Sequence, residues 1–119
     1  MPMFSDINSF KYLTLDYRVA IVGAGSCASD LYAQAEDMGR LLAQNSYILL
    51  CGGLGGVMEA ASKGAYEEGG LTIGILPGND KAEANPFIQI PIATGLGHMR
   101  NFLVVNNADI VVAIDVGYG

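Results

Sequence analysis

Positive charge is scarce in this sequence: six lysines and arginines stand against twelve acids in 119 residues, a formal net charge of −6. A surface of that sign repels phosphate backbones and anionic lipid, so neither nucleic acid nor a membrane is an expected partner. Apolar runs of the roughly 18 residues that span a bilayer are missing too. The first 17 residues, with Asp6 and Asp16 among them, do not resemble a signal peptide, and a cytoplasmic location is the resulting expectation. Cysteine is nearly absent. Cys27 and Cys51 lack CxxC spacing and have only His98 to help them, so no zinc site, no other metal site and no disulfide framework is expected. Charged residues make up only 15% against 51% hydrophobic, which excludes disorder and fits one domain around one apolar core.

What the sequence has in quantity is glycine, sixteen in all, most of them gathered at 23–25, 52–56, 69–78, 95–97 and 117–119. Each cluster follows or joins an apolar segment and so punctuates strands and helices. Arg18 to Val22, Tyr47 to Cys51, Leu71 to Leu76 and Ile110 to Ile114 are short, largely apolar runs, the first and last rich in β-branched residues. Helical spacing appears between them, first through Leu31, Ala35, Met38, Leu41 and Leu42, then through Val57, Met58, Ala61 and Ala65. A third helix is expected over Thr94 to Asn107, after a polar loop at Asn79 to Asn85 and a short extended piece at Phe87 to Ile92. Continuously apolar strands alternating with helices predict a parallel sheet covered on both faces. The fold expected is a Rossmann-like α/β domain over residues 18–119, with about four strands in the order 3-2-1-4, preceded by an N-terminal arm at residues 1–17.

Three glycine clusters carry the functional reading. Gly23, Gly25 and Ser26 lie in a G-x-G-x-x-A run between strand and helix, where bare amides and a helix N-terminus can hold a phosphate. A nicotinamide site would need an acid at the end of the second strand, and Cys51-Gly52-Gly53 stands there instead, so that cofactor is disfavoured. Gly52, Gly53, Gly55 and Gly56, followed by Val57 and Met58, exceed what a turn requires, which points to close backbone approach by a ligand. On that reading, valine at Gly53 or Gly56 removes binding and leaves the fold intact. No Lys-Ser or Lys-Thr follows, which excludes a Walker A loop. Glu59, near the start of its helix, is expected to favour the dipole, with acid-base work as the lesser alternative. Thr94 and Gly95 precede Arg100, one of three arginines, whose guanidinium near a glycine-lined cleft suits a phosphate or ribose clamp. His98 has no evident catalytic partner. Gly117, Tyr118 and Gly119 follow the last strand beside the first, where open α/β sheets bind ligands.

Together these residues resemble the family labelled "possible lysine decarboxylase", which includes the Lonely Guy cytokinin riboside 5'-monophosphate phosphoribohydrolases, and the related molybdenum cofactor carrier proteins. Gly52 to Met58 is similar to that family's GGxxGLM segment with one residue fewer, and Glu59 stands where many members have glycine. Arg100, nine residues before Asp109, matches the family's catalytic arginine. Ile114 to Gly119 resembles the start of its PGGxGTxxE motif, with Asp115-Val116 in place of Pro-Gly; the motif's Thr and Glu would fall beyond Gly119, so the chain is C-terminally incomplete relative to the family. Decarboxylation through a pyridoxal lysine finds no support in Lys11, Lys63 or Lys81.

The resemblance implies a phosphate-bearing ligand, either a nucleoside monophosphate or the molybdenum cofactor, and no required cofactor. Two alternatives stay open beside simple binding: a nucleoside 5'-monophosphate phosphoribohydrolase using Arg100, and a molybdenum cofactor carrier. Because the hydrolytic pair is incomplete, binding without turnover is expected. A four-stranded sheet that leaves apolar surface at one edge further implies a homo-oligomer, a dimer or higher.

Overall fold

The computed structural model describes residues 17–114. Five strands form one parallel sheet: β1 (Arg18–Gly23), β2 (Ile48–Cys51), β3 (Thr72–Leu76), β4 (Ile90–Ala93) and β5 (Ile110–Ile114). Their order is β4-β3-β2-β1-β5, all neighbours parallel. The Rossmann-like α/β sheet expected from the sequence is therefore present, and the expected order 3-2-1-4 corresponds to β3-β2-β1-β5. The difference is β4, an added edge strand formed by part of the expected extended piece. It alternates exposed and half-buried residues and contains Pro91, as suits an edge whose outer side needs no donor.

Alternate residues of the central strands face two cores. Val19, Ile21, Leu49 and Cys51 pack under α1 (Ser29–Gln44) and α2 (Val57–Glu67), together with Ala35, Leu42, Val57 and Ala61. Ala20, Leu50 and Ile75 face the other way, onto Val104 of α3 (Arg100–Asn106). The α1/α2 pair is close because glycines stand at the crossing: a Cβ on Gly39 would run into the backbone of Ala61, and one on Gly64 into the backbone of Glu36.

The third helix is shorter than its spacing predicts. Gly95 and Gly97 adopt φ of +67° and +61°, a conformation that ends helical pairing, so a single 3-10 turn at Gly97–Met99 precedes α3. Asp109 then fixes where β5 begins: its Oδ2 accepts from the backbone N–H of Arg18 at 2.8 Å, and its own N–H donates to the carbonyl of Arg18 at 2.8 Å. Among the described residues no helix is long and apolar enough to cross a membrane. The expected arm at residues 1–17 lies outside the described residues except for Tyr17, as do Asp115 and Gly117 to Gly119.

Candidate functional site

Arg100 opens α3, yet its side chain turns inward and only 7% of the residue is exposed. Its Nε–H donates to the carbonyl of Ile75 near the end of β3 at 2.9 Å, and Nη1 donates to Oδ1 of Asn101. The guanidinium lies against Gly52, the residue that follows β2, where a Cβ would come within 2.7 Å of Nη2 and 3.0 Å of Cζ. Glycine at 52 is therefore what gives the guanidinium its place. Both acceptors are neutral, and the ion pairs among the described residues involve Arg40 and Lys63 only. Burial pushes the guanidinium below its ordinary pKa, with the buried Cys51 thiol opposing the shift, but arginine stays protonated in proteins. The result is a buried positive charge whose counter-charge is not supplied by any described residue.

A cavity of about 330 Å³ opens at this guanidinium, lined by Val22, Gly23, Gly52, Met58, Asn101 and Val105 among others. It sits at the carboxyl ends of β1 and β2, on the side covered by α3. Of the residues expected from the sequence, it gathers Gly23, Gly52, Met58 and Arg100. Ser26 instead lines a separate cleft of about 490 Å³ with Cys27, Asp30 and Gln34 at the start of α1, and a Cβ on Gly25 would meet open space.

The remaining glycines of the second cluster serve the loops themselves, which corrects the expectation that Gly53 and Gly56 tolerate a side chain. Gly53 has φ +80° and a Cβ there would lie 2.7 Å from Cδ2 of Leu76; Gly56 has φ +64° and its Cβ would run into the backbone of Ala24, Gly25 and Ser26. Gly55 passes close to the carbonyl of Gly25, at 3.2 Å from an added Cβ, and Val57 is fully buried while donating its N–H to the carbonyl of Ala24 at 3.0 Å. Thr94 and Gly95 do not line the cavity. Thr94 Oγ1 donates to the carbonyl of Leu76 at 2.7 Å, and Gly95 is held against the Asn79 side chain.

Glu59 is engaged with α1 instead of a ligand: its Oε2 accepts from the Tyr32 hydroxyl at 3.0 Å. The Tyr32 phenol is pushed up to about 12, by burial first and then by the adjoining carboxylate. His98 is exposed.

Two residues escaped the sequence reading. Asn101 was overshadowed by its neighbour Arg100, although an amide beside a buried guanidinium is a natural orienting acceptor. Asn85 was placed in a surface loop but is 8% exposed. Its N–H donates to the carbonyl of Gly53 and its Nδ2 to the carbonyl of Leu54, each at 2.9 Å, tying the loop before β4 to the glycine cluster. The Asn-Pro dipeptide at 85–86 was the available signal.

Comparison with known proteins agrees with this architecture. A molybdenum cofactor binding protein from the phototrophic bacterium Rippkaea orientalis superposes with a TM-score of 0.79 at 39% identity, covering 83% of this chain and 62% of that one. The Moco carrier protein from Chlamydomonas reinhardtii gives a TM-score of 0.75 at 37% identity, again covering 83% and 62%. An uncharacterized protein of Archaeoglobus fulgidus is 43% identical over 102 residues, 86% of this chain and 67% of the archaeal one. The chain thus spans about three fifths of the length of the two solved structures. The resemblance to the Lonely Guy-like Rossmann group is borne out. Since the SLOG cluster4 family pattern matches residues 16–119, nearly the whole sequence and every strand described above, the chain belongs to the SLOG cluster4 family.

Proposed function

We propose that the chain binds a phosphate-bearing small molecule with its anionic group at Arg100. The observation that carries this is the buried guanidinium, held by two neutral acceptors, facing a cavity whose floor is Gly52. A charge placed out of water without a partner costs several kcal/mol in effect, and an anionic ligand removes that cost. Phosphate suits the position because arginine presents several N–H donors to its oxygens.

The molybdenum cofactor is the ligand favoured within this class. Two of the solved relatives are named for binding or carrying it, and the family resemblance implies a phosphate-bearing, pterin-type ligand. The cavity has the matching division of character: Arg100 and Asn101 at one wall for the phosphate, and Ile21, Val22, Val104 and Val105 as apolar walls for a flat ring. Binding precedes any chemistry in this reading, since no carboxylate lines the cavity among the described residues.

The test is native mass spectrometry of the gently purified protein, followed by identification of the released molecule. A pterin or nucleotide carrying phosphate is the expected result. A released ligand without an anionic group would contradict the reading.

A further inference from the structure

Arg100 has five N–H bonds to place, and the protein accounts for the Nε–H, given to Ile75, and one on Nη1, given to Asn101. Nη2 is left at the cavity side, against Gly52. The bond from Nη1 also fixes which way the Asn101 amide faces, because only its Oδ1 can accept. Its Nδ2, with two N–H bonds, donates to nothing among the described residues, and Asn101 is exposed at the edge of the cavity. Asn101 itself lines the cavity beside Arg100.

We propose that Asn101 is the positioning and specificity residue of this site: its Oδ1 holds the guanidinium plane, and its Nδ2 offers a second donor so that one phosphoryl group is taken by two of its oxygens. The inference rests on the anion-binding reading given above. It adds that the site favours a phosphoryl group, whose separate oxygens can each take one directed donor, over chloride, a single sphere that both donors would have to share. Asn101 makes this selection without carrying charge, so the site keeps the full positive charge of Arg100.

The test uses inorganic phosphate as probe, with chloride as competitor, on the full chain and on Asn101→Ala and Asn101→Asp. Asparagine to aspartate keeps the acceptor for Nη1 but replaces the Nδ2 donor by an anionic oxygen, so phosphate binding should fall at least a hundredfold, about the effect of reversing a charge-assisted hydrogen bond. Asparagine to alanine should cost about tenfold, the worth of a hydrogen bond, and should erase the preference for phosphate over chloride. A second readout needs no ligand: in nitrogen-resolved NMR, the Arg100 Nη groups should be distinct in the native chain and averaged by rotation in Asn101→Ala. A purely structural role for Asn101 would lower stability without moving either the phosphate-to-chloride ratio or the Nη signals. If the native chain binds no phosphate, the anion reading itself falls, and this is seen before any variant is made. If the native chain binds phosphate and both variants bind it as well, with distinct Nη signals retained, the role of Asn101 alone is overturned.

Discussion

The backbone N–H of Val57 donates to the carbonyl of Ala24 at 3.0 Å, so the loop that closes β2 hangs directly on the loop that closes β1. The two glycine runs meet at a backbone contact. That contact explains why Gly56 must be glycine, and it brings Gly23 and Gly52 into one cavity wall under Arg100.

Replacing Gly56 by valine should destabilise the fold by about 2–4 kcal/mol, from a φ of +64° forced on a β-branched residue and from collision with the first loop. Gly25→Ala should change stability by less than about 0.5 kcal/mol, because its Cβ meets open space. Urea unfolding of the two variants checks the contrast, and equal stabilities would contradict the loop contact.

Alanine normally stabilises a helix by about 0.5–1 kcal/mol over glycine. At Gly39 and Gly64 the sign should reverse, with losses of about 1–3 kcal/mol, because each added methyl meets the backbone of the facing helix. Thermal unfolding of Gly39→Ala and Gly64→Ala gives the answer directly.

The strands β1, β2 and β3 were legible as short, mostly buried apolar runs, and β5 as a β-branched run although Ile110 and Val111 are exposed; their parallel pairing followed from the alternation with helices. The helix ending at Asn107 was overextended because propensity alone does not reveal that Gly95 and Gly97 turn left-handed. At the site, Arg100 and Gly52 were legible as types of residue that hold phosphates. What was not legible was direction: whether a glycine's missing side chain clears space for a ligand, as it was assumed to at Gly56, or for another loop depends on packing between segments distant in sequence. Asn85 and Asn101 were hidden for the same reason, since an amide's role is set by which carbonyl or guanidinium it meets.

The Tyr32 phenol should titrate near pH 12, above its ordinary value near 10, and Glu59→Gln should bring it down. The folded-state value is the higher one, so the folded protein holds the proton more tightly than the unfolded chain. This contribution to stability is fully present below about pH 10 and is lost as pH rises towards about 12. Ultraviolet titration of the native chain and of Glu59→Gln checks the shift, and an unchanged midpoint would remove Glu59 as a cause.

Arg100 is the anion's partner on which binding at this cavity depends. The most direct measurement is calorimetric titration of a nucleoside monophosphate, and of the same nucleoside without its phosphate, into the native chain and into Arg100→Ala. The native chain should bind the phosphorylated form more tightly, and Arg100→Ala should lose about 1.5–3 kcal/mol of that affinity, roughly tenfold to a hundredfold, with little change for the bare nucleoside. Equal binding of the phosphorylated form by the native chain and by a folded Arg100→Ala variant would contradict the account.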